Sequence, residues 1–95
     1  MAYLLIEHDV TDFDRWKPVY DGHEDRRRQA GLKEVLLLQD IENPKKVVLL
    51  FEAADLKKAR EFLESDDLQK TMQRAGVVGI PSFFFLDRPA LRKAA

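Results

Sequence analysis

With 95 residues, 16 basic and 17 acidic side chains, a formal net charge of −1 and no cysteine, the chain has material for one modest core and not for two. The balanced charge excludes a long-range field that would draw the protein onto nucleic acid or an anionic membrane. The missing cysteines exclude disulfides, thiolate nucleophiles and thiolate metal sites, and since small secreted domains often need such staples, a cytoplasmic protein is expected. The longest apolar runs, Val35 to Leu38, Val47 to Phe51 and Phe83 to Leu86, fall far short of the roughly 20 residues that span a bilayer. The N-terminus does not resemble a signal peptide.

Tyr3 to Val10 reads as a strand, with Leu4, Ile6, His8 and Val10 on one side and Tyr3, Leu5, Glu7 and Asp9 on the other. Thr11, with Asp14 three residues on, reads as the N-cap of a helix that runs to about Ala30. Gly31 then supplies the left-handed exit, and Arg26 to Arg28 place positive charge on the last turn. Pro18 removes one backbone bond and predicts a kink there, or a helix that restarts with Pro18 near its first position. Leu32 to Ile41 and Lys45 to Ala53 form a hairpin about Glu42, Asn43 and Pro44. Asp55 caps a helix carrying Leu56, Ala59 and Leu63, and Ser65 restarts one carrying Leu68, Met72 and Ala75, closed by Gly76. Val77 to Pro81 reads as a loop and Ser82 to Asp87 as the last strand. A single domain over residues 1–87 and a charged C-terminal tail over 88–95 complete the chain.

The order β, α, β, β, α, β, joined by right-handed crossovers, predicts a ferredoxin-like α+β fold, an antiparallel four-stranded sheet with both helical segments on one face. Such a sheet should alternate apolar and polar residues, yet the second, third and fourth strands carry apolar residues on both faces. The helices cover one face only. The other would be an apolar patch larger than soluble monomers tolerate, which predicts a homodimer through the sheet. A standard interface removes roughly 800 Å² per partner, and at about 25 cal/mol per Å² the gross gain is tens of kcal/mol. That exceeds an association cost of about 4 to 15 kcal/mol.

On a helical wheel Phe13, Trp16, Tyr20, His23, Arg27 and Ala30 fall within an arc of roughly 100°. His23 and Arg27 stand where a plain core helix would carry Leu or Val, and His8 faces them from the first strand. The pattern suggests a small-molecule pocket in which Trp16, Phe13 and Phe84 stack on a flat substrate. His23 or His8 would be the general base, and the Tyr20 hydroxyl would steady an enolate or phenolate oxygen. Arg27 would anchor a carboxylate. The plainer alternative makes both histidines hydrogen-bonded boundary residues, with Arg27 snorkelling past the sheet edge. No metal is expected, because the histidines lack a helical i,i+4 spacing. RNA-recognition domains share this element order, but Lys46 to Glu52 is aliphatic and lacks the glycine and exposed aromatics that stack bases, so no nucleic acid is expected.

The stretches Asp12 to His23 (DFDRWKPVYDGH), Ala30-Gly31-Leu32 and Leu63 to Val77 (LESDDLQKTMQRAGV) resemble small proteins of the dimeric α+β barrel superfamily. The chain looks like those labelled cyclases or grouped near the antibiotic-biosynthesis monooxygenases. The resemblance implies a homodimer with sheets face to face and a pocket in each subunit between sheet and helices. Its members include cofactor-free monooxygenases of polycyclic phenols, polyketide cyclases, haem-degrading enzymes and lactone isomerases. His8 is the position that would match the first-strand histidine of the plant polyketide cyclases, whose second, C-terminal histidine has no counterpart here. The Asn, Trp and His set of the haem-degrading members is not matched either, since Asn43 falls in the hairpin turn. The expectation is a homodimeric, cofactor-independent protein that acts on an aromatic or polyketide-like molecule, with proton transfer by His23 helped by Tyr20. The alternative is a non-catalytic binding or accessory protein of the same fold.

Overall fold

Alternation along the first strand decides which face meets the helices, and the computed structural model, which describes residues 1–89, follows it. In β1 (Ala2–Val10), Leu4, Ile6, His8 and Val10 are buried, while Asp9 is exposed and their other neighbours half-buried. β2 (Leu32–Gln39) and β3 (Lys46–Ala53) form the expected hairpin, and β4 (Val77–Leu86) lies on the other side of β1. The sheet order is β2-β3-β1-β4, with every neighbouring pair antiparallel. The four helices α1 (Phe13–Gly22), α2 (Glu24–Gln29), α3 (Leu56–Leu63) and α4 (Asp66–Ala75) complete a ferredoxin-like βαββαβ fold with each helical segment in two pieces. Leu4, Val10, Val47 and Phe51 are the largest side chains closed off from solvent and centre the core on the two middle strands.

Local chemistry differs from expectation at three places. The cap of α1 is Asp12, whose carboxylate accepts from the Asp14 N–H at 3.0 Å; Thr11 is still held to the sheet, donating its N–H to the Gly76 carbonyl. Pro18 does not restart the helix, which continues through it. The break comes at Gly22 and His23, where the His23 N–H turns to the Tyr20 carbonyl three residues back and a new helix starts at Glu24. The segment expected as a loop belongs to β4: Val77 pairs with Val10 and Val78 with Asp9, and pairing resumes at Ser82 opposite Glu7. Gly79, Ile80 and Pro81 bulge outward between these pairs, with Gly79 at φ 74°. A bulge relieves Pro81 of the ladder bond it could not donate.

The remaining caps are as the sequence suggests. Asp55 accepts from the Lys58 N–H, Ser65 from the Leu68 N–H, and Gly31 and Gly76 close helices with positive φ. The face of the sheet turned away from the helices carries a row of opposed partners, Leu36, Leu50, Leu5 and Phe84, one from each strand. Leu36, Leu38, Phe84 and Leu86 on that face are each between 43% and 50% exposed. Residues 90–95 of the expected tail lie outside the described residues. No helix among the described residues is long and apolar enough to cross a membrane.

Candidate functional site

Sheet alternation and helical phase deliver the chemistry-bearing side chains to one place. Ile6 and His8 point from β1 toward the helices, and Trp16, Tyr20, His23 and Arg27 return from α1 and α2 at spacings of four, three and four residues. All of them line a small cavity of about 50 Å³ between sheet and helices, closed on the far side by Phe62, Leu68 and Met72. The space suffices for ordered water but is well below the roughly 300 to 1,000 Å³ of a ligand pocket.

The aromatic groups form a continuous wall. Trp16 and Tyr20 stack with centroids 4.6 Å apart and planes 18° from parallel. His8 meets Trp16 at 5.6 Å and Phe13 flanks it at 5.5 Å, both tilted. The Arg27 guanidinium lies 3.7 Å from the Tyr20 ring centroid, so the phenol ring meets an indole and a cation.

The two histidines are in opposite situations. His23 occupies the junction of α1 and α2, packs on Phe62, and brings Nε2 to 2.6 Å from Oδ2 of Asp67 in the first turn of α4. That hydrogen bond, ahead of all other causes, holds the Asp67 carboxyl below its usual range. His8 is buried, and neither ring nitrogen has a hydrogen-bond partner among the described residues. Burial pushes its pKa down to about 4, with Asp9 opposing, so the ring is neutral at pH 7 with one bare acceptor nitrogen and one unused N–H. His8 is also the one β1 residue between Glu7 and Asp9 with no register partner on β4, where that strand bulges.

Tyr20 donates its hydroxyl to Oε1 of Glu34 at 2.7 Å. Burial first, then that bond, push the phenol pKa up, which keeps it a neutral donor. Glu34 reaches the helix face just before a register shift in β2. Glu34 and Asp67 are the partners sequence reasoning did not single out. Their only signals were an acid beside Lys33 at the start of an apolar run and a second acid after the Ser65 cap. Phe84 is not brought to this site: it opposes Leu5 on the other sheet face, and Phe83 and Phe85 turn inward in its place. Among the described residues no three His, Asp or Glu side chains converge as a metal would require.

No family model and no curated protein sequence matches the chain. Solved structures do. A candidate antibiotic biosynthesis monooxygenase from Bordetella bronchiseptica superposes with a TM-score of 0.74 at 15% identity, over 94% of this chain and 97% of that one. The chain has the antibiotic biosynthesis monooxygenase fold. A variant of SnoaB, a cofactor-independent oxygenase from Streptomyces nogalater, gives a TM-score of 0.67 at 17% identity over 97% of both chains. A conserved protein from Methanosarcina mazei gives 0.70 at 12% identity, over 93% of this chain and 92% of that one. At such identities the likeness is one of architecture alone, and fold does not fix chemistry.

Proposed function

We propose that the chain is a cofactor-independent, homodimeric protein whose cavity, widening from its resting volume of about 50 Å³, takes a planar phenol or polyketide-like enol and moves a proton on it through His8. The observation that carries this reading is the buried His8 ring with both nitrogens unpartnered. An imidazole in that state costs free energy, and a ligand hydroxyl would relieve the cost. The bare nitrogen would accept a proton from the substrate's O–H or acidic C–H, giving an imidazolium beside an enolate or phenolate. The two charges form together and stabilise each other in a dry site. The electron-rich carbon then adds to a carbonyl of the same molecule, whose oxygen takes the proton back from the imidazolium, or adds dioxygen to give a hydroperoxide that carries that proton, the latter in keeping with the cofactor-independent oxygenase of the same fold. Trp16 would supply the stacking surface. His23, already bonded to Asp67, would position the helices, and the Tyr20 hydroxyl would reach substrate only by exchanging Glu34 for it.

The half-exposed apolar row on the outer face supports the homodimer, since a second copy would remove it from water. The cysteine-free sequence supports a cytoplasmic setting.

A second reading has its own observation. The cavity holds only about 50 Å³, and two of its three candidate acid–base groups are engaged, which suits a non-catalytic protein whose interior is packed or opens only to sequester a ligand.

The test is titration with a panel of phenols and naphthols, read by the fluorescence of Trp16, the only tryptophan, and by the NMR signals of the His8 ring. Binding should move both signals in the native protein and fail in His8→Ala. A panel that leaves the His8 ring untouched would remove the proposed site. Binding without turnover would select the sequestering reading.

A further inference from the structure

Arg27 is a buried cation without a counter-charge. It is 8% exposed, whereas Arg26 and Arg28 on either side are exposed. Its guanidinium donates Nη1 to the Tyr20 carbonyl at 2.6 Å and stacks on the Tyr20 ring, and it makes no other hydrogen bond among the described residues. No carboxylate of those residues pairs with it. The acids nearby are committed elsewhere: Asp21 to Lys17, Glu24 to Arg28 and Glu34 to the Tyr20 hydroxyl. Its other N–H groups are not closed off from solvent, so the guanidinium has its stem and ring face buried and donors left over for a partner of opposite charge.

Its position suggests what completes it. Arg27 and Tyr20 line both the apolar cavity and a polar groove of about 630 Å³ that runs between α1, α2 and the start of β2. Lys17, Arg28 and Lys33 also border this groove. Once the pairs Lys17–Asp21 and Arg28–Glu24 are set aside, Arg27 and Lys33 face Glu34 alone, so the groove keeps a positive excess. Its volume lies within the range of small-molecule sites, which the cavity's does not.

We propose that the ligand is an aromatic or polyketide-like carboxylic acid, its acid group held by Arg27 at the seam between groove and cavity. The planar fork of a guanidinium matches a carboxylate with two parallel hydrogen bonds. The ligand's ring extends along the Tyr20 and Trp16 wall toward His8. This assignment rests on the cavity reading above and adds the charge of the substrate to it.

The experiment compares 6-hydroxy-2-naphthoic acid, its methyl ester and 2-naphthol by Trp16 fluorescence at pH 7 and low salt. The acid should bind the native protein about tenfold more tightly than the ester, as a charge-assisted bidentate contact implies. In Arg27→Gln the ratio of acid to ester affinity should fall to about one, whatever loss the three probes share. Equal affinity of acid and ester for the native protein overturns the proposal, as does an Arg27→Gln variant that weakens all three probes equally and so keeps the native ratio, which would make Arg27 a brace for the helix break. Should Arg27→Gln not fold, the Arg27 Nε–H resonance of the native protein decides: it moves with the acid and not the ester, or the proposal fails. Binding of naphthol without an acid preference sinks this inference alone, whereas silence from every probe sinks the cavity reading together with it.

Discussion

Nε2 of His23 lies 2.6 Å from Oδ2 of Asp67, across 44 residues of sequence. The contact ties the break between α1 and α2 to the first turn of α4, where the helix dipole already favours an acid. It therefore fastens the two halves of the helical layer over the cavity. The same proton cannot at once steady this tether and be offered to a ligand.

Replacing His23 by Ala should accordingly act on stability before chemistry. Because Asp67 is half exposed, the expected loss is only about 1 kcal/mol, with phenol binding at His8 retained. Urea denaturation alongside the fluorescence titration measures both. Loss of binding at unchanged stability would return the central role to His23.

His8 should show the opposite behaviour. His8→Leu removes two unsatisfied buried nitrogens and ought to raise stability by about 1 to 2 kcal/mol while abolishing ligand binding. A gain in stability paired with a loss of function is the signature of a group retained for its chemistry.

The same variant should flatten the acid limb of the stability curve. The unfolded imidazole titrates near 6.5 and the folded one near 4. Between those values the unfolded chain binds more protons, so stability falls as the pH drops through that window and levels below it. The His8 contribution is on the order of 3 kcal/mol, read as the difference between native and His8→Leu curves from pH 7 to pH 4. Parallel curves would mean that the ring is hydrated or partnered.

On the outer face Leu36 opposes Leu50 within the apolar row. Light scattering behind size-exclusion chromatography should give the native chain the mass of a dimer at micromolar concentration, and Leu36→Lys that of a monomer. A native monomer would contradict the proposed assembly.

Gly76 combines two constraints: φ is 80°, and a Cβ there would stand 2.6 Å from Oγ1 of Thr11. Gly76→Ala should cost about 1 to 2 kcal/mol. Adding Thr11→Ala should recover the steric part and leave the backbone part. Full recovery in the double variant would show that the left-handed geometry costs nothing here.

Much of this architecture was legible in the sequence, because periodicity reports the face a side chain takes. Two-residue alternation placed His8 inward, and helical phase placed Trp16, Tyr20, His23 and Arg27 opposite it. What periodicity does not report is which hydrogen bond a polar group finds. Glu34 and Asp67 come from elements distant in sequence, and only the folded chain pairs them with Tyr20 and His23. Phe84 shows the limit from another side: in a run of three phenylalanines, the register against β1 alone decides which one turns outward. Pro18 does not end α1, because a helix held by buried Trp16 and Tyr20 tolerates one missing backbone bond on an exposed flank. Val77 and Val78 carry a loop signal only through the Gly79 and Pro81 that follow, and a bulge accommodates both without ending the strand.

The alternation of β1 carries one further implication. Ile6 and His8 face the chamber while Leu5 and Glu7 face the other way, so two copies meeting by their oily sides would hold their chambers on opposite flanks, back to back. Each mouth would open to its own bulk solvent, with two thicknesses of strand between them. Occupancy of one flank would then leave the other indifferent, and saturation should follow a simple hyperbola with a Hill coefficient of about one.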